Sequence, residues 1–239
     1  MRIGLALGGG GAKGLAHIPV LEVLDELGLR PSVIAGTSIG AVIGAFYASG
    51  VPARQIRDEF HQLIFPEDEG DAGGFELPRG IRQLLDLIDI DVKSGGLLRG
   101  EKFLDRLYED VRASMSLPVL FSPVVHGTAV LMDGGAVNPV PYDLLFEDCD
   151  FTIAVDVAGQ RTPDPKDQIP SLTEAIFNTF QIMSKAIVDQ KLRVRPPDVY
   201  LRPEIVDVQV LDFDRAEEIY AGAAGACEEL RKRLAALPA

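Results

Sequence analysis

The chain has 239 residues, 47% of them hydrophobic, with 23 Lys and Arg against 36 Asp and Glu and a formal net charge of −13. That length and composition fit one domain with a large core and exclude a disordered, fibrous or disulfide-scaffold chain. The negative balance repels phosphate backbones, so nucleic acid is not an expected partner.

Residues Ile3 to Leu7 form an apolar run that breaks into four glycines, without the cleavage site of a signal peptide. Apolar residues then recur at helical spacing from Leu15 to Leu27, with Gly28 as a stop. Ser32 to Ala35 opens a second buried strand ahead of the helical stretch GTSIGAVIGAFYASG, which ends at Gly50. No residue from Pro31 to Ala53 is charged, a length that suggests a membrane span, but Gly36, Ser38, Gly40, Gly44 and Pro52 interrupt it. A buried strand, turn and helix explain it better, and strands alternating with helices imply a parallel sheet covered on both faces.

The stretch 61–100 mixes loop-like and amphipathic segments and reads as a lid or cap inserted into a single domain spanning 1–239. Its acids Glu67, Asp68, Glu69 and Asp71 lack a calcium-loop pattern, and no metal is expected. Beyond it, AVLMDGG ends a strand at Asp133, and Phe151 to Val157 is another strand. A long helix from Ile169 to Val194, a short strand from Asp198 to Pro203 and a closing helix from Asp214 to Leu237 complete the chain. Cys149 and Cys227 are the only cysteines. Two buried free thiols suit a reducing compartment and a cytoplasmic location.

GTSIG, residues 36–40, matches GxSxG between an expected buried strand and an expected helix, where the motif has mechanical meaning. Gly36 and Gly40 permit a sharp turn that exposes the Ser38 hydroxyl and aims the Ile39 amide at an acyl oxygen. A serine nucleophile needs a base, yet only His61 and His126 follow it, and His17 reads as a structural histidine in the first helix. A carboxylate acting directly is the economical alternative. Asp133 fits, because Gly134 and Gly135 let the backbone turn toward a site at the end of the sheet.

The run Gly9, Gly11, Gly14 matches a dinucleotide fingerprint, but the second strand ends in GTS rather than in a ribose-binding acid, and no Gly-Lys-Ser or Gly-Lys-Thr triplet of a P-loop is present. The same loop can present backbone N–H groups to an oxyanion, with Lys13 holding the loop or adding positive charge. A methyl group at Gly10 is then expected to crowd the oxyanion.

The segments GGGGAKGLAHIPVLEVL, GTSIGA, RASMSLPVLFSPV and DGGAVNPVP, in that order, resemble the bacterial patatin-like phospholipases. The resemblance implies a three-layer α/β/α fold with a mostly parallel central sheet and lipid acyl hydrolysis by a Ser-Asp dyad. Ser38 matches the family nucleophile, Asp133 the base, and Gly9, Gly10 and Gly11 the oxyanion loop. The implied partner is a lipid or acyl-ester substrate, with peripheral membrane contact and no cofactor. The alternatives are a short-chain esterase or thioesterase, or a weakly active regulatory binding protein on the same fold. One departure stands out: between GEKFLDRLYED and VRASMSLP the family carries tens of residues, including strands, whereas here the two abut at Asp110 and Val111. A thinner sheet or a break in the chain is expected there.

Overall fold

The structure, a computed structural model, describes residues 1–65, 111, 113, 114, 116, 124–162 and 172–237. Strand β1 (Ile3–Leu7) is followed by a 3-10 turn (Gly11–Ala16), helix α1 (His17–Glu26), β2 (Val33–Gly36), α2 (Ile39–Ala48) and α3 (Ala53–Ile64). The short strands β3 (Val124–His126) and β4 (Ala129–Leu131) precede two 3-10 turns, β5 (Phe151–Val155), α4 (Leu172–Val194), β6 (Val199–Leu201), α5 (Ala216–Gly222) and α6 (Ala224–Ala235).

Among the described residues, four strands form one parallel sheet in the order β2-β1-β5-β6, with Leu5 beside both Ile34 and Ile153 and Ile153 beside Val199. Alternate side chains go to opposite faces. On one face Ile3, Leu5, Leu7, Ile153, Val155, Val199 and Leu201 enter a large core with α1, α2, α3, α5 and α6. On the other, Ala6, Ala154 and Ala35 present methyl groups beside Val33 and Tyr200, and Tyr142 and Leu145 of the 3-10 turn Tyr142–Leu145 and Val188 of α4 pack against the sheet. Helices therefore cover both faces, giving the three-layer α/β/α arrangement that the sequence implies.

Gly28 and Gly50 end α1 and α2 with φ of 65° and 96°, as their positions suggest. Helix α3 was not expected as an element. Its amide Ala53 N–H donates to Asp25 Oδ2 at 2.8 Å, it buries Ala53, Ile56 and Phe60, and Arg57 pairs with Glu22 at 2.6 Å. Residues 61–64 continue this helix, while 66–100, the rest of the expected lid, and Asp110 lie outside the described residues.

Four expectations need correction. Strand β2 is half-buried rather than buried, and Cys149 is only partly buried. The closing helix is two helices, because the Gly222 carbonyl accepts from Glu204 N–H at 2.9 Å and a side chain at Gly222 would lie 2.5 Å from Glu204 O. Finally, Asp133 does not end a strand of the central sheet: β3 and β4 form a separate antiparallel hairpin, and Asp133 follows it.

Candidate active site

Strand order reverses about β1, since the chain passes from β1 to β2 on one side and reaches β5 and β6 on the other. Open parallel sheets bind ligands outside the carboxyl ends of their strands at such a point. A cavity of about 430 Å³ lies there. It is lined by residues that follow all four strands: Gly9, Gly10 and Gly11 after β1, Ser38 and Ile39 after β2, Asp156 after β5, and Arg202 after β6. Asp133 and the aromatic residues Phe177 and Phe180 of α4 close another side.

Ser38 occupies the turn between β2 and α2 with φ 54° and ψ −128°. A non-glycine residue at positive φ is strained, and such strain persists only where surrounding contacts enforce it. Gly40 supplies one, because its backbone approaches β1 so closely that a side chain would lie 2.3 Å from Leu7 O. Ser114 supplies another: its hydroxyl accepts from Ser38 N–H at 2.8 Å. The same short segment reaches the other expected catalytic residue, for Asp133 N–H donates to Ser116 O at 3.1 Å. Thr37 Oγ1 also donates to Asn138 O at 2.7 Å. The serine turn and the aspartate loop are thus tied by hydrogen bonds, two between side-chain hydroxyls and backbone groups and one between backbone groups.

Asp133 is only 3% exposed. Its Oδ1 accepts from Gly135 N–H at 2.7 Å, and Oδ2 is buried without a conventional hydrogen bond. Burial pushes the carboxyl above its ordinary pKa, while the Gly135 N–H and the nearby Ser38 hydroxyl pull it back in part. Helix α4 covers this loop, with Ser184 Oγ donating to Gly135 O at 3.0 Å. A side chain at Gly135 would crowd Phe180 at 3.1 Å, and one at Gly134 would press on Thr37 at 3.3 Å.

The glycine loop divides its labour. Gly9 N–H donates to Pro139 O at 3.0 Å and so anchors the loop to the segment after Asp133. Gly10, Gly11 and Ile39 reach the cavity, and a side chain at Gly9 would stand 3.3 Å from Ser38 Cβ. At Gly10 a side chain would strike Val157 at 2.7 Å, so a methyl there also disturbs packing. Gly14 lets the turn meet Ile39, where a Cβ would lie 2.2 Å from a methyl carbon. Lys13 is buried beneath the loop and donates to Val208 O at 3.3 Å. Burial lowers its pKa against the pull of Asp212.

The histidines stay out of the cavity wall. His17 is fully buried with Nε2 against Gly8 O at 2.8 Å, His61 packs against Phe65 with the rings tilted by 46°, and His126 is exposed on β3. His17 is structural, as expected, although its Nδ1 has no partner. Sequence reasoning did not single out Ser114 or Asp156. The second stands just beyond β5 and holds Tyr200 OH at 2.5 Å and Ala158 N–H at 2.8 Å. The signal was available, since DVAG follows an apolar strand much as DGG follows AVLM.

The patatin-like phospholipase family model matches residues 5–108. Lysophospholipase NTE1 of Debaryomyces hansenii is 27% identical over 264 residues, covering 91% of this chain and 17% of its own length. Lysophospholipase NTE1 of Saccharomyces cerevisiae is 30% identical over 275 residues, covering 91% and 16%. An uncharacterized NTE family protein of Mycobacterium tuberculosis is 28% identical over 225 residues, covering 79% and 58%. The chain therefore spans about one sixth of the length of the yeast relatives. The alignment of 264 positions exceeds the 239 residues of the chain itself, so the relative carries a stretch that this chain lacks. Among solved structures, VipD from Legionella pneumophila superposes with a TM-score of 0.50 at 14% identity, covering 95% of this chain and 66% of that one.

Proposed function

We propose that the chain is a member of the patatin-like phospholipase family, whose model matches residues 5–108, and that it hydrolyses carboxylic esters of lipids, in the manner of a phospholipase A or lysophospholipase, through Ser38 and Asp133. The observation that carries this reading is the pairing of a serine at φ 54° with a buried carboxylate of raised pKa on the wall of one cavity. Ser38 Oγ attacks the acyl carbonyl as Asp133 takes its proton. The amides of Gly10, Gly11 and Ile39 receive the oxyanion. Collapse breaks the ester bond, Asp133 returns the proton to the departing alcohol, and an acyl-Ser38 remains. Asp133 then deprotonates a water that attacks this acyl group, releasing the fatty acid and regenerating the hydroxyl. The base works without an intervening imidazole, and its raised pKa brings it nearer to the proton it must accept.

Phe177, Phe180, Ile182 and Val188 offer an apolar wall to the acyl chain. Ile182 and Met183, 69% and 54% exposed on α4, offer a lipid surface a place to rest. The test compares a palmitoyl lysophospholipid with a soluble acetate ester, using wild type and Ser38→Ala. The expected result is a larger kcat/KM on the long-chain lipid and loss of both activities in the variant. Preference for acetate would instead favour the short-chain esterase reading, and turnover retained by Ser38→Ala would remove Ser38 from the mechanism.

A further inference from the structure

The chain carries 23 cationic against 36 anionic side chains, yet the cavity wall inverts that ratio. Four cations line it, Lys13, Arg161, Lys185 and Arg202, against two carboxylates, Asp133 and Asp156. Asp156 is engaged internally by Tyr200 OH and Ala158 N–H, and Asp133, which accepts from Gly135 N–H through Oδ1, is the proposed base at the Ser38 end of the cavity. Lys13 is buried beneath the glycine loop, whereas the other three cations are exposed.

Those three come from different elements. Arg202 follows β6 and donates to Ala158 O at 3.3 Å, Arg161 follows the segment after β5, and Lys185 projects from α4. All three line the same cavity, and two of them share a neighbour: Lys185 pairs with Asp189 at 2.6 Å, and Arg202 acts electrostatically on the same carboxylate. Arg161 acts likewise on Asp207. Neither Asp189 nor Asp207 lines the cavity, and an exposed pair such as Lys185–Asp189 is weak enough to yield to a better anion. A cleft lined by one sign of charge between low-dielectric walls focuses its field on the ligand it admits.

We infer that Arg161, Lys185 and Arg202 form a subsite for the phosphate of a monoacyl glycerophospholipid whose ester lies at Ser38. The inference rests on the hydrolase reading and adds the headgroup to it. Two guanidinium forks and an ammonium suit the oxygens of a phosphate. A headgroup with net negative charge is accordingly favoured over a neutral one.

Binding to the Ser38→Ala protein tests the subsite without turnover. Isothermal titration would compare 1-O-octylglycerol 3-phosphate, neutral 1-O-octylglycerol and glycerol 3-phosphate, in the Ser38→Ala background with and without Arg161→Gln and Arg202→Gln. The phosphate-bearing ether is expected to bind at least about 10-fold tighter than the neutral ether. The two Arg substitutions should erase that margin while leaving the affinity for octylglycerol in place, which also shows that the cavity is still folded. Equal affinity for the two ethers, or a margin that survives the substitutions, would overturn the inference. Glycerol 3-phosphate binding as tightly as the ether lipid would also overturn it, in favour of a site for free phosphate esters. Fluorophosphonate labelling of the protein with Ser38 intact separates the two readings. A charge-dependent margin without any adduct leaves the subsite standing and removes the hydrolase, and an adduct without a margin does the reverse.

Discussion

Ser38 concentrates the strain of the active site. With φ at 54° its N–H cannot join the β1 ladder, and the hydroxyl of Ser114 accepts it instead. Ser114→Ala would orphan that N–H at a cost of ~1–3 kcal/mol. The expected result is a roughly 5- to 150-fold fall in kcat with KM nearly unchanged, because geometry at the reacting atom is lost while the acyl wall is intact. Ser114→Thr, which keeps the hydroxyl, should restore most of the rate, and a rise in KM with kcat intact would argue against the positioning role. Asp133 sets the pH dependence. It must be unprotonated to act as a base, and burial raises its pKa, so the acid limb of kcat/KM should lie above the ordinary aspartate range. Asp133→Asn should remove that limb and at least ~10²-fold of the rate, with His126→Ala having far less effect. Both turns were legible from sequence, because glycines on either side of Ser38 and after Asp133 announce them. Ser114 was not, since a serine between Ala113 and Met115 carries no local sign of what its hydroxyl meets.

Among the elements, the first βα unit does most to build the site, and His17 is its fastening. Its Nε2 holds Gly8 O at the root of the glycine loop, and burial depresses its pKa from 6.5 to about 4. A depressed pKa means that the unfolded chain takes up the proton first. The stabilisation is complete above pH ~6.5 and is lost as pH falls through 4, a change of roughly 3 kcal/mol. Chemical denaturation of wild type and His17→Gln at pH 7.5 and pH 4 should show this loss in wild type alone, because glutamine offers a donor but does not titrate. The same loss in both proteins would assign the acid sensitivity elsewhere. Periodicity revealed β1, α1, α2 and β5 because their apolar spacing is strong. Helix α3 escaped because its dense charges mask the buried stripe Ala53, Ile56 and Phe60. The split between α5 and α6 escaped because it is imposed by Glu204, a contact from another part of the chain.

The molecule as a whole gathers one cavity from the carboxyl ends of four parallel strands, a location that the alternation of strands and helices already implied. The separate β3-β4 hairpin and the placing of α4 over the Asp133 loop were hidden from sequence, because both depend on pairings between distant segments. So did the basic wall, whose three cations lie up to 41 residues apart, from Arg161 to Arg202. The convergence of Ser38 and Asp133 at this point is the feature from which the chemistry follows, and covalent trapping addresses it most directly. A long-chain fluorophosphonate reacts only with an activated serine, and peptide mass mapping locates the adduct. One adduct per chain on Ser38 is predicted, absent from Ser38→Ala and at least ~10²-fold slower to form in Asp133→Asn. An adduct on another residue, or labelling of Ser38 at the same rate without Asp133, would contradict a Ser38–Asp133 dyad.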